Sequence, residues 1–252
     1  MNEQEFMTQI YRVFHPSLPR LGPGDSRSTL RALELIPREI RRPDRCILDL
    51  GCGNGTQTVC LAGELPGEIF AVDTHQPFLD RLMIRAKEAG CSERIHPLCM
   101  DMAAIDPENG RFDLIWCESA IYNMGFERGL RHCRTLLDGG YLALSEMNWL
   151  GEERPQACRD FFDRLHLPVS DIAENLEIIT KTGFETLGHF VLPESSWWDE
   201  FYTPLSLRLE ELQHSFPDDE DLKEVIGNIV EEIELFRQYS GIYGYVFYVL
   251  KN

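Results

Sequence analysis

The sequence predicts an α/β protein, in which a mostly parallel sheet carries helices on both faces. Short apolar segments of strand length alternate with amphipathic segments of helical length through the first 150 residues. A glycine-rich run, DLGCGNG at residues 49–55, follows the first apolar segment and precedes a helical one. This order is the start of a βαβ unit, and its repetition over five strands favours a doubly wound sheet.

Each element is predicted from its own pattern. The strands are apolar runs bounded by turn residues or acids, and the helices have apolar side chains at helical spacing. In the helix at 76–89, for example, Phe78, Leu79 and Leu82 share one face, and Gly90 stands just beyond its end. The predicted strands cover residues 47–49, 67–73, 94–102, 112–118, 141–147, 184–192 and 243–250, and the predicted helices cover 56–64, 76–89, 126–137 and 170–182.

We expect one domain over residues 1–252, with two additions to the sheet. Residues 193–242 separate the last two strands and contain two helical patterns, so they are predicted to form a helical insertion that covers the open end of the sheet. The amphipathic N-terminus begins a segment, residues 1–30, that we expect to cover the cofactor site with a helix and a loop. Together these patterns predict seven strands, of which the last runs antiparallel.

Composition excludes several classes of function. The formal net charge of −18 disfavours nucleic acids and anionic membranes as partners, because both attract basic surfaces. No apolar run approaches membrane-spanning length, and the N-terminus lacks the pattern of a secretory signal, so a cytoplasmic location is expected. The eight cysteines form no CxxC pair, and no metal site is predicted. The sequence leaves the oligomeric state open.

The glycine loop distinguishes between two cofactor classes. Gly51, Gly53 and Gly55 stand at alternate positions, which lets the backbone bend sharply and approach a ligand closely. The dinucleotide fingerprint requires glycine at the sixth position, where this chain has Thr56. The pattern therefore favours S-adenosylmethionine over NAD, although an NAD-dependent oxidoreductase and a simple tight turn remain alternatives.

The motifs between Arg45 and Met147 resemble those of the class I S-adenosylmethionine-dependent methyltransferases, with a Rossmann-like sheet. The resemblance implies that the loop glycines lie against the methionine part of the cofactor. It also implies that Asp73 binds the ribose hydroxyls, and that Asp101 and Met102 contact the adenine. The full set of cofactor contacts expected on this basis is Asp49, Gly51, Gly53, Gly55, Thr56, Asp73, Thr74, Asp101, Met102 and Glu118.

The fourth strand and its exit, FDLIWCESAIYNMGFE, are similar to a bacterial subgroup of small methyltransferases. Methyl transfer needs no nucleophilic side chain, so the catalytic candidates are residues that orient or deprotonate an acceptor: Glu118, Tyr122 and His75. Glu146 is a further candidate by position. Each also has a structural interpretation: an acid bonded to backbone for Glu118, core packing for Tyr122 and a polar helix start for His75.

The predicted function is methyl transfer to a small-molecule acceptor. Aromatic residues occur in the N-terminal segment, after the fifth strand and in the insertion. If they converge beside the cofactor, they suit an aromatic or cationic acceptor, but ordinary packing of a helical lid would explain them equally. The set is Tyr11, Phe14, Trp149, Trp197, Trp198 and Tyr202. A non-catalytic protein that binds S-adenosylmethionine is the alternative from another class.

Overall fold

The computed structural model describes residues 2–106 and 111–252. The strands are β1 Cys46–Leu50, β2 Glu68–Asp73, β3 Ile95–Cys99, β4 Phe112–Cys117, β5 Leu137–Trp149, β6 Ser170–Asp171, β7 Glu185–Val191 and β8 Tyr243–Lys251. Seven of them form one sheet in the order β3-β2-β1-β4-β5-β8-β7, and the two-residue β6 pairs with β5. Strand β8 runs antiparallel to both of its neighbours, and the other pairings are parallel. The predicted fold class is confirmed.

The helices lie on both faces and over one edge of this sheet. They are α1 Glu3–Val13, α2 Ser26–Glu34, α3 Thr56–Glu64, α4 Gln76–Glu88, α5 Phe126–Leu136, α6 Gln156–Arg164, α7 Ile172–Lys181, the single turn α8 Ser195–Trp197, α9 Thr203–Ser215 and α10 Glu220–Tyr239. A π-helical turn, Trp198–Tyr202, joins α8 to α9. Helices α2 and α6, which have nine residues each, were not predicted from the sequence. No helix in the described part of the chain is long and apolar enough to cross a membrane.

Two strands, β3 and β5, differ from their predicted bounds by more than one residue. Strand β3 ends at Cys99 because Asp101 starts a 3-10 turn, in which its carboxylate accepts the Ala103 N–H at 2.8 Å. Strand β5 begins at Leu137, directly after α5, where a separate turn was predicted. A Cβ at Gly140 would overlap the Asp113 carbonyl oxygen, so glycine lets the two backbones approach at this point.

Both faces of the sheet are buried, as expected for parallel strands covered by helices. In β1, Ile47 packs into one core, while Leu48 and Leu50 pack into the core on the opposite face. In β4, Leu114 and Ile115 divide in the same way. This alternation fixes the register, so the carboxyl ends of β1, β2 and β4 meet at one edge.

The N-terminal segment and the insertion pack against each other. Helix α1 contacts α9 and α10, and Arg12 Nη1 lies 2.6 Å from a carboxylate oxygen of Asp219, at the start of α10. The guanidinium of Arg208 on α9 donates to the Arg12 carbonyl oxygen. The two segments therefore form one cover, whose inner side lies over the carboxyl ends of the strands.

Candidate cofactor site and adjoining cavity

A cavity of about 370 Å³ lies at the carboxyl ends of β1, β2 and β4, beneath residues 20–23. In an α/β sheet this edge is where ligands bind. Of the ten predicted cofactor contacts and the catalytic candidates Tyr122 and His75, eight line the cavity: Gly51, Gly53, Asp73, Thr74, Asp101, Met102, Glu118 and Tyr122.

The glycine loop forms the floor of this first cavity. Gly51 and Gly53 have φ of 67° and 53°, a region that favours glycine. A Cβ at Gly51 would overlap that of Ala120, and one at Gly53 would come within 3.1 Å of Leu21 Cδ1. Glycine at these two positions therefore lets Ala120 and Leu21 pack closely against the loop backbone.

Asp73 joins the glycine loop to the end of β2. Its carboxylate accepts the Gly53 N–H at 3.0 Å through one oxygen and the His75 N–H at 2.9 Å through the other. Burial raises the pKa of Asp73, and these two backbone donors oppose that rise. Each carboxylate oxygen has a second lone pair, so the side chain keeps two acceptor positions for a ligand.

Four predicted residues lie outside the cavity lining because other contacts hold them. Asp49 is fully buried, accepts the Thr58 hydroxyl at 2.6 Å and has its pKa raised by burial to about 7. Gly55, with φ of 83°, starts α3, and a Cβ there would overlap Leu82.

Thr56 and His75, the other two residues outside the lining, contact the N-terminal segment. The Thr56 hydroxyl donates to the Pro19 carbonyl at 2.6 Å, and the His75 ring stacks on Tyr11 with centroids 3.6 Å apart. Burial lowers the pKa of His75. Both side chains thereby hold the part of the N-terminal segment that precedes residues 20–23.

Glu118 is fixed by three donors. Arg20 Nη1 lies 2.9 Å from one of its oxygens, and the Thr29 hydroxyl and Trp116 Nε1 donate to the other at 2.6 and 2.9 Å. Arg20 also donates through Nε to Glu200 of the π-helical turn at 3.0 Å. Glu118 thus orients Arg20, and its contact with the cofactor stays a prediction.

Arg20 is a site residue that the sequence analysis missed. Its side chain is 4% exposed and lines the first cavity. Its Nη2 atom is buried and has no hydrogen-bond partner in the described part of the chain. A buried guanidinium nitrogen without a partner is costly unless a ligand accepts from it. The only local signal was one arginine in a segment rich in proline and glycine.

A second cavity, of about 430 Å³, adjoins the first. Both are lined by Leu21, Gly22, Pro23, Ser119 and Tyr122. Much of the second wall is aromatic: Phe14, Tyr122, Phe126, Phe161, Phe162, Trp197, Phe201, Tyr202, Tyr243 and Tyr245.

The predicted aromatic set is divided by the structure. Phe14, Trp197 and Tyr202 line the second cavity, whereas Tyr11, Trp149 and Trp198 line neither cavity. Trp149 instead packs edge-on against Phe162, with ring centroids 5.6 Å apart.

Several polar groups face the second cavity. The Glu146 side chain on β5 is 7% exposed, and one of its oxygens accepts the Met147 N–H at 3.1 Å. Its other oxygen and the Tyr243 hydroxyl have no partner in the described part of the chain. Burial raises the pKa of Glu146 to about 7. Glu232 on α10 accepts the Tyr202 hydroxyl at 2.7 Å, and burial raises its pKa as well.

Known proteins share both the motifs and the fold. Residues 47–140 match the methyltransferase domain family. The uncharacterized protein YjhP of Escherichia coli is 28% identical over 195 residues, which are 73% of this chain and 75% of YjhP. A solved S-adenosylmethionine-dependent methyltransferase from Geobacter sulfurreducens, in complex with S-adenosylhomocysteine, has a TM-score of 0.75 at 20% identity and covers 97% of this chain and 96% of its own.

A third relative is the tRNA U34 carboxymethyltransferase of Vibrio cholerae, which is 27% identical over 162 residues. The match covers 60% of this chain and 49% of the relative, so it spans about half the length of that enzyme. Residues 47–140 thus match the methyltransferase domain family, and the fold of this chain is that of solved S-adenosylmethionine-dependent methyltransferases. These findings bear out the predicted enzyme class and its cofactor.

Proposed function

We propose that this chain binds S-adenosylmethionine in the first cavity and transfers its methyl group to a small molecule held in the second. The observation that carries this proposal is the junction of the two cavities, where five residues line both. A methyl donor on one side of the junction and an acceptor on the other would meet there. A volume of about 430 Å³ is in the range of small-molecule sites.

The first cavity fits the cofactor at three points. The two free acceptor positions of Asp73 suit the ribose hydroxyls, and the backbone of Gly51 and Gly53, which lines the cavity, is proposed to lie against the methionine part. The unpartnered Nη2 of Arg20 suits the methionine carboxylate. We further propose that Thr74, Asp101 and Met102 contact the nucleoside, Asp101 by accepting from the adenine amino group and Met102 by packing on the ring.

The chain's role in the reaction is to position and to exclude water. When bound, S-adenosylmethionine supplies a methyl group on a positively charged sulfur. Leu21, Gly22 and Pro23 cover the junction, so water is kept from the line between donor and acceptor. Ser119 is held at the junction because its N–H donates to the Ser145 hydroxyl at 2.9 Å and its own hydroxyl donates to the Pro23 carbonyl. Such fixed walls orient an acceptor for in-line attack.

The similarity to a tRNA-modifying enzyme raises a second candidate acceptor. A tRNA substrate requires a basic surface, which the net charge of −18 opposes. We therefore propose a small-molecule acceptor, with tRNA as an arm of the test.

The test combines cofactor binding with methyl transfer. Calorimetry is expected to show binding of S-adenosylmethionine and S-adenosylhomocysteine, and radiolabelled methyl is expected in a small-molecule fraction of a cell extract. Label in tRNA would replace the small-molecule assignment. Tight cofactor binding without turnover on any fraction would favour a non-catalytic binding protein, and no binding of either compound would refute the proposal.

A further inference from the structure

The second cavity combines two carboxyl groups with no basic side chain except one histidine. Glu146 on β5 and Glu232 on α10 both line it. Among its described lining residues there is no lysine or arginine, and His166 is the only basic one. A buried carboxylate is costly unless a cation or several donors compensate its charge. Apart from His166, the described lining offers no positive charge to compensate these carboxyl groups, so a cationic ligand can supply it.

Glu146 shows most directly that a partner is missing. It is 7% exposed, one oxygen is satisfied by a backbone N–H, and the other has no partner in the described part of the chain. Burial raises the pKa of Tyr122, which lines both cavities, and the nearby Glu146 adds to this rise. A group that binds the free oxygen of Glu146 thus sits close to where the methyl group is delivered.

The rest of the wall suits a cation on an apolar body. Aromatic faces attract cations and also pack against apolar groups. Tyr243, whose hydroxyl lacks a partner in the described part of the chain, and Tyr245 face the cavity from β8. The side chain of Tyr122 is 45% exposed although it lines both cavities, so its ring is open to contact.

We propose that the acceptor is a primary or secondary amine on an apolar body, bound as an ammonium ion between Glu146 and Glu232. The inference rests on the proposed function and deepens it. Glu146, with its free oxygen beside the junction, is the proton acceptor, and Glu232, which already holds the Tyr202 hydroxyl, supplies the second negative charge.

The proton and the electron pair are accounted for in two steps. The ammonium ion gives one proton to the Glu146 carboxylate and becomes a neutral amine. The nitrogen lone pair then forms a bond to the methyl carbon, the carbon–sulfur bond breaks, and its electron pair stays on sulfur. The products are S-adenosylhomocysteine and the methylated ammonium ion, and Glu146 returns its proton to solvent.

The experiment uses three probes with the same phenyl body: phenethylamine, phenethyl alcohol and phenylpropionate. Each is titrated calorimetrically into the whole protein, with and without S-adenosylhomocysteine. The amine is expected to bind about tenfold more tightly than the alcohol or the acid. Titration in two buffers of different ionisation enthalpy is expected to show net proton release near pH 7, because the cation lowers the pKa of buried carboxyls. Tyr122, Tyr245, Glu232 and His166 face Glu146 from other elements, so the release belongs to this group as a whole.

Two variants and a control assign the preference. In Glu146→Gln and Glu232→Gln the amine preference is expected to fall to about threefold or less, while S-adenosylhomocysteine affinity stays unchanged. In Glu224→Gln, at an exposed position on α10, the preference should persist. Circular dichroism checks that each variant is folded. Loss of the amine preference in one folded glutamate variant is enough to assign the preference to the carboxyl groups.

Amine binding no tighter than alcohol binding, including no binding of any probe, would overturn the inference. A preference that survives in both glutamate variants would overturn it as well. If S-adenosylhomocysteine binds but the amine preference is absent, only this inference fails. If S-adenosylhomocysteine does not bind, the proposed function fails, and the titrations without it still measure the amine preference.

Discussion

Replacing Asp73 by alanine tests the cofactor site at its centre. The carboxylate performs two tasks that a single substitution removes together. It anchors the glycine loop through the Gly53 and His75 N–H groups, and it offers two acceptor positions to the proposed ribose. A methyl group performs neither task, so cofactor affinity should fall.

The size of the effect follows from the bonds that are lost. A hydrogen bond to a charged group is worth about 1.5–3 kcal/mol, so two ribose bonds amount to roughly 3–6 kcal/mol. At about 1.4 kcal/mol per tenfold change, the dissociation constant for S-adenosylhomocysteine should rise by a factor of roughly 100 to 20,000. Disorder in the released loop would add to this loss.

Calorimetric titration with S-adenosylhomocysteine measures this change directly. Asp80→Ala is the matched control, because Asp80 is an exposed carboxylate on the neighbouring α4. The affinity of this variant for S-adenosylhomocysteine should equal that of the wild type. A folded Asp73→Ala protein whose affinity stays within about threefold of the wild type would show that Asp73 does not bind the cofactor.

Three further predictions concern stability, measured by urea unfolding. Gly55→Ala should lower the free energy of unfolding by more than about 1 kcal/mol, because φ is 83° and the new Cβ overlaps Leu82. Gly63→Ala should raise it by up to about 1 kcal/mol, because a Cβ at Gly63 in α3 meets open space. Equal effects of the two substitutions would contradict this explanation. Arg20→Met should cost about 3–5 kcal/mol because it leaves the buried Glu118 without its cation, and a loss below about 1 kcal/mol would show that the pair is dispensable. Asp49 has a pKa of about 7 in the folded protein, above its value in the unfolded chain. Its contribution to stability is therefore complete below pH 4 and is lost as the pH rises through 7. Asp49→Asn should flatten this decline of stability with pH, and an unchanged slope would show that Asp49 does not cause it.

The cofactor half of the site could be predicted because its signals are local in sequence. The loop glycines and Asp73 follow directly from two strand ends, and parallel strands bring those ends to one edge. Thr56 belongs to the same motif, yet its hydroxyl turns to Pro19. A residue's place in a motif therefore predicted its backbone position better than the contact of its side chain.

Arg20 could not be predicted in this way. Its partner Glu118 lies 98 positions further along the chain, and its second partner, Glu200, lies 180 positions away. Both pairings depend on the N-terminal segment and the insertion folding over the sheet. No spacing rule relates residues so far apart, so the contact appears only with the tertiary structure.

The same physical difference separates cofactor recognition from acceptor recognition. The carboxyls of the second cavity come from β5 and α10, and its hydroxyls come from β6, β8, the π-helical turn and the residues that follow β4. The pair Tyr202 and Glu232 lies wholly within the insertion, which contributes no residue to the lining of the first cavity. Substitutions in the insertion can therefore reshape the wall of the second cavity while the glycine loop and Asp73 stay intact. For this reason the glycine motif identifies the methyl donor, whereas the acceptor has to be inferred from the charges and the unpaired hydrogen-bonding atoms of the second cavity.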